Sequence, residues 1–134
     1  MDFIPNYKNL VSIDNLTQVE LNIAGNSITK IPGSLKTLRF LRKLNLSSNK
    51  IEKIEKIPES LEVLTLANNN IETIGTSIGK LEDLHTLDIS NNRVQNISNL
   101  KKLEFLRILI AKNNKVKNSF FIGVDQRDWV SNLQ

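Results

Sequence analysis

Residues Leu41 to Ile54 read LRKLNLSSNKIEKI. Leucines stand at 41, 44 and 46, Asn49 follows, and Ile51 and Ile54 close the phrase. As spacing this is L-x-x-L-x-L-x-x-N-x-I-x-x-I. The alternation through Lys43–Ser47 has period two, which suits a short strand with one buried face. Asn49 interrupts the alternation. Its side-chain amide both donates and accepts, so it can satisfy backbone groups that leave the sheet at a turn. Ile51 and Ile54 then resume apolar contact.

The phrase recurs. Leu61, Leu64, Leu66, Asn69, Ile71 and Ile74 form one copy, and Leu84, Leu87, Ile89, Asn92, Val94 and Ile97 another. Leu106, Leu109, Ala111, Asn114 and Val116 form a later copy with a smaller third residue. Leu21, Ile23, Asn26, Ile28 and Ile31 form the earliest, with Gln18 in place of the first leucine. The asparagines 26, 49, 69, 92 and 114 are separated by about 23, 20, 23 and 22 residues, within the range of a solenoid repeat. On these residues the chain resembles the leucine-rich repeat family over roughly residues 16–119, in its intracellular, cysteine-free type. The resemblance implies an α/β architecture: a short right-handed solenoid with a parallel concave β-sheet and a convex side of irregular, 3₁₀ or short helical returns.

Composition agrees with a single domain spanning 1–134, since 134 residues fall in the one-domain range. Each repeat of a solenoid buries its apolar face only against its neighbours. The division expected is an N-terminal cap at 1–15, five repeats at 16–119 and a C-terminal cap at 120–134. Phe3, Ile4, Tyr7, Leu10, Val11 and Ile13 are too apolar for a free tail. Phe120, Phe121 and Ile122 precede Asp125, a helix N-cap residue, and Trp129, Val130 and Leu133 share one helical stripe. Pro32 and Pro58, in the matching phrases IPGSLKTL and IPESLEVL, cannot donate to a ladder and mark convex returns. The third repeat is the shortest, and its return is expected to be extended or a single 3₁₀ turn. The return from Gly75 to Glu82 has room for a turn or two of helix.

The absence of cysteine, of a leader-like apolar stretch and of a membrane span favours a reducing, intracellular and cytoplasmic setting. The triplets beginning at Asn15, Asn45 and Asn96 match the glycosylation acceptor by chance in an Asn-rich repeat. The net charge of +4 is unevenly spread. Between Ile57 and Leu100 stand Glu59, Glu62, Glu72, Glu82, Asp83 and Asp88 against Lys80 and Arg93. Lys101, Lys102, Arg107, Lys112, Lys115 and Lys117 then face Glu104 alone. Such asymmetry either steers charged partners or simply keeps the surface hydrated.

Catalysis has no constellation to support it. His85, Asp88 and Ser90 include the residue types of a hydrolase triad, but a spacing of three sends His85 away from the face shared by Asp88 and Ser90. One histidine and no cysteine exclude the usual zinc clusters. The glycine-containing returns lack a phosphate-loop lysine at the proper spacing. No cofactor, metal, small-molecule substrate or membrane is therefore expected, and the chain is read as a non-enzyme.

If the leucines point inward, three rows point outward along the strands: Glu20, Lys43, Val63, Thr86, Ile108; Asn22, Asn45, Thr65, Asp88, Ile110; and Ala24, Ser47, Ala67, Ser90, Lys112. The face they form is roughly 20 Å across. The expected partner surface is Lys43, Asn45, Val63, Thr65, Thr86, Asp88, Arg107, Ile108, Ile110 and Lys112, with Ile108 and Ile110 as its apolar focus. Asn26, Asn49, Asn69, Asn92 and Asn114 are expected to form a structural ladder. Phe40 and Phe105, each just before the first leucine of a repeat, either pack over the convex returns or anchor a partner at the flank. The function expected is recognition of another protein's helix, loop or tail, as adaptor or regulatory subunit. Two alternatives stand beside it: nucleic-acid or ribonucleoprotein binding through the basic last repeat, and a structural or oligomerising module of a longer protein.

Overall fold

A computed structural model describes residues 19–116. The caps expected at 1–15 and 120–134, with Trp129, Gln18 and Lys117, lie outside the described residues. Five short strands form one parallel sheet: β1 (Glu20–Asn22), β2 (Lys43–Asn45), β4 (Val63–Thr65), β6 (Thr86–Asp88) and β7 (Ile108–Ile110). Every pairing joins consecutive repeats in chain order. The register places Leu21, Leu44, Leu64, Leu87 and Leu109 side by side. These five leucines are at most 3% exposed. The residues flanking them in each strand project to the opposite side of the sheet, as a two-residue pleat requires.

A second, two-stranded parallel sheet pairs β3 (Lys53–Ile54) with β5 (Thr73–Ile74). Ile54 and Ile74 turn into the same apolar core as the leucines. Two-residue strands carry no alternation to read, so this sheet left no trace in the pattern. Among the described residues it forms only between the second and third repeats.

Three 3₁₀ helices lie on the returns that lead to β2, β6 and β7: η1 (Gly33–Thr37), η2 (Thr76–Lys80) and η3 (Ser98–Lys102). No α-helix occurs among the described residues. Buried side chains here step by three: Leu35, Leu38 and Leu41; Ile78, Leu81 and Leu84; Leu100, Leu103 and Leu106. In a 3₁₀ helix residues i and i+3 eclipse, so a spacing of three keeps one edge apolar. The i+3 backbone bonds accompany it, with Leu38, Leu81 and Leu103 donating to Leu35, Ile78 and Leu100. The return after β3 lacks this triplet. There Ile54, Ile57 and Leu61 are buried, Pro58 interrupts, and the chain passes to β4 without a helix.

Each sheet strand ends in a turn built on positive φ. Gly25, Ser48, Asn68, Asn91 and Asn113 have φ of 70°, 57°, 59°, 56° and 58°. Each immediately precedes a repeat asparagine. Asn and Gly enter this left-handed region more readily than other residues, which is why four of the five positions hold them.

Candidate functional site

Asn49, Asn69, Asn92 and Asn114, each following a turn, are tied to two repeats at once. Asn49 Oδ1 accepts from the N–H groups of Asn26 and Ile28, at 2.9 and 3.0 Å, in the preceding repeat. Its Nδ2 donates to Ile23 O at 3.2 Å and to Leu46 O at 2.9 Å. Asn69 accepts from Ile51 N–H and donates to Leu46 O and Leu66 O. Asn92 accepts from Ile71 N–H and donates to Leu66 O and Ile89 O. Asn114 accepts from Val94 N–H and donates to Ile89 O and Ala111 O. Asn26 donates to Ile23 O and Ala24 O within its own turn. These side chains occupy backbone groups that no strand reaches, and they tie each repeat to the one before it.

The outward rows are aligned by the pairing itself. Glu20, Lys43, Val63, Thr86 and Ile108 are register partners, and so are Asn22, Asn45, Thr65, Asp88 and Ile110. Ile108 is 48% exposed. Ile110, Val63, Thr65 and Thr86 are half-buried, Lys43 and Lys112 exposed. Neighbouring strands lie about 4.8 Å apart, so Val63, Thr86 and Ile108 form one continuous low ridge. Lys43 Nζ lies 3.5 Å from Glu20 Oε1, an exposed pair of small energetic weight.

Two residues expected to meet a partner also have local duties. Asn45 Oδ1 accepts from Ser47 N–H and Asp88 Oδ1 from Ser90 N–H, both at 2.9 Å. Asn22 does the same for Ala24. These turns bend the chain out of the strand. The third row is correspondingly less open than its register implied: Ala67 and Ser90 are buried. Its exposed member is Lys112. The first two rows are therefore the more open ones.

Arg107 stands apart from that face. It precedes β7 and belongs to a rim row with Arg42, Glu62 and His85, the residues just before the first outward row. Along this row Glu62, His85 and Arg107 donate their N–H groups to the carbonyls of Arg42, Glu62 and His85. Arg42 Nε lies 3.7 Å from Glu62 Oε2. His85 Nδ1 and Thr86 Oγ1 are 2.9 Å apart, so the imidazole is tied to the rim. Phe105 and Arg107, with His85, Glu62, Glu82 and Asp83, line a cleft of about 520 Å³. The rim row was legible, since this place holds a charged or imidazole residue in every copy but the first, where Val19 stands. Phe40 and Phe105 remain 52% and 60% exposed, so packing covers less than half of either ring.

No group of three or more His, Cys, Asp or Glu that could hold a metal occurs among the described residues. Nor is any helix among them long and apolar enough to cross a membrane.

Comparison with known proteins places this geometry. The chain superposes on a leucine-rich repeat protein of Leptospira interrogans with a TM-score of 0.66 and 25% identity, over 85% of this chain and 30% of that one. Internalin C2 of Listeria monocytogenes gives 0.70 and 24%, over 91% and 50%. The SNF/U2A′ complex of Drosophila melanogaster gives 0.66 and 24%, over 84% and 70%. The chain thus spans about a third to a half of the first two relatives. No curated protein sequence matches it. The family model for leucine-rich repeats in two copies matches residues 14–59 and 59–102. With two-thirds of its length so matched and the same strand, turn and asparagine repeated through the fold, the chain belongs to the leucine-rich repeat family, whose members are for the most part protein-interaction modules.

Proposed function

We propose that this domain is a non-catalytic adaptor or regulatory module that docks another protein on the outward face of β4, β6 and β7 and on the adjoining rim. The observation that carries the reading is Ile108, half exposed on a five-stranded sheet with Ile110 beside it in the same strand. An apolar side chain held in water on so rigid a support gains by being covered. The sheet and the asparagines fix the face before binding, so little chain entropy is lost on docking. A helix, loop or tail of the partner fits a shallow face of small residues. The cysteine-free composition supports a cytoplasmic setting.

Ile110→Asp tests the reading. Substitution at a half-buried outward position is expected to leave the far-ultraviolet spectrum unchanged and to cost at most about 1 kcal/mol. Capture of a cognate protein from cell extract should be lost. Retained capture removes the proposal, and unfolding of the variant would show that Ile110 is core.

Nucleic-acid binding is the weaker alternative. The described basic residues of the last repeat are divided between η3 (Lys101, Lys102), the rim (Arg107) and the segment after β7 (Lys112, Lys115). They do not form a single track for a phosphate backbone. Binding of that kind would weaken steeply with salt; contact centred on Ile108 and Ile110 would not.

A further inference from the structure

Phe105 is the most exposed large apolar side chain of the described residues. It forms the ridge between two clefts. One is the rim cleft of about 520 Å³ with Glu62, Glu82, Asp83, His85 and Arg107. The other, about 280 Å³, is bounded by Gly79, Glu82, Lys102 and Glu104. Gly79 packs closely on Lys102 in the second cleft, where a Cβ would come within 3.2 Å of the Lys102 side chain.

The charge around the ridge is unbalanced. Four carboxylates, Glu62, Glu82, Asp83 and Glu104, surround it against Lys102 and Arg107. Of the four, Glu62 has an ion pair, with Arg42; among the described residues Glu82, Asp83 and Glu104 take part in none. An apolar group seated on Phe105 would strip water from these carboxylates with nothing in return. A guanidinium suits both features: its plane stacks on the ring while its N–H fork meets carboxylates at the edge. An ammonium meets the charge but stacks less well.

We propose that the Phe105 ridge is an arginine-binding site, taking an arginine side chain of the partner protein. The inference rests on the reading that this domain docks a protein, and it names the chemistry of one anchor. Arg107 adjoins Ile108, so an arginine on the ridge brings the neighbouring partner residues over the apolar end of the face. The partner segment is therefore one with arginine beside an apolar residue.

The test is titration of the full chain with a capped Ala-Arg-Leu-Arg-Ala peptide, followed by backbone amide shifts. The expected result is saturable binding with shifts at Glu82, Asp83, Phe105 and Arg107. Phe105→Ala should weaken it about tenfold, the scale of a desolvated cation–π contact. Glu82→Lys should weaken it further, and replacing both peptide arginines by citrulline should abolish it. Phe40→Ala is the control, because Phe40 holds the same repeat position and is similarly exposed, yet stands between Arg39 and Arg42 in the chain; it should change nothing. Unaltered dispersion of the spectrum shows that the variants fold. The proposal is overturned if the peptide fails to saturate, or if Phe105→Ala and Glu82→Lys bind it like the parent chain. These outcomes separate from the parent reading. Loss of partner capture by Ile110→Asp without peptide binding sinks the arginine site alone. Peptide binding with capture intact in Ile110→Asp sinks the concave face alone.

Discussion

The amide of Asn69 reaches the carbonyls of Leu46, Leu66 and Ala67 and the N–H of Ile51. Two of these four groups belong to the preceding repeat, so one side chain closes its own turn and joins two coils. An aliphatic residue of similar size would fill the space and leave the buried Ile51 N–H without its acceptor, while the carbonyls of Leu46, Leu66 and Ala67 would each lose one donor and keep those of Asn49, Asn92 and Ser48. Asn69→Ala is therefore expected to cost about 1–3 kcal/mol, the penalty of an orphaned buried polar group. Urea denaturation measures it directly. A negligible change would mean that water reaches these groups, contrary to the 7% exposure of Asn69. The period in the sequence pointed to these asparagines because a turn that repeats needs the same donor and acceptor each time. It gave no warning that Asn45 and Asp88 would bond their own turns, since either duty calls for the same residue type.

The turn after each strand has a second requirement, the left-handed residue before the asparagine. Three repeats meet it with Asn68, Asn91 and Asn113, and one with Gly25, but the second repeat uses Ser48. A left-handed residue that is neither Gly nor Asn carries a cost on the order of 1 kcal/mol. Ser48 is exposed, so an asparagine side chain has room. Ser48→Asn is expected to stabilise the domain by about 0.5 kcal/mol and to raise Tm by about 2 °C. A fall in Tm would show that Ser48 is held by something other than backbone conformation. The same elements explain what was legible and what was not. Outward rows one and two followed from a period of two with one buried face. The 3₁₀ returns were also readable, in Leu35–Leu38–Leu41 and Ile78–Leu81–Leu84, had the spacing of three been separated from that of an α-helix. The β3–β5 pairing was not, because two residues show no period. The rim cleft gathers residues from three repeats, and only folding brings them to one place.

On the scale of the whole molecule, each sheet pairing joins one repeat to the next and none skips a neighbour. Stability in such an array is approximately a sum of repeat and nearest-neighbour terms. Damage in the middle should then be felt locally before it is felt at the ends. Leu64 is the place to apply it: it is fully buried in β4, the strand paired to both β2 and β6. Leu64→Ala is expected to cost about 3 kcal/mol, from lost apolar burial and the cavity left behind. Native-state hydrogen exchange shows where that loss is spent. Leu46 N–H bonds to Thr65 O, and Leu66 N–H to Asp88 O; both amides border the cavity and should exchange about a hundredfold faster, as about 3 kcal/mol requires. Ile23 N–H, bonded to Asn45 O, and Ile89 N–H, bonded to Ile110 O, lie one pairing further out and should lose much less. Equal acceleration of all four amides would make the domain one cooperative unit, and the face formed by β6 and β7 would then depend on the integrity of every repeat. Unequal acceleration leaves the β6 and β7 part of the docking face standing when β4, its remaining strand, is weakened.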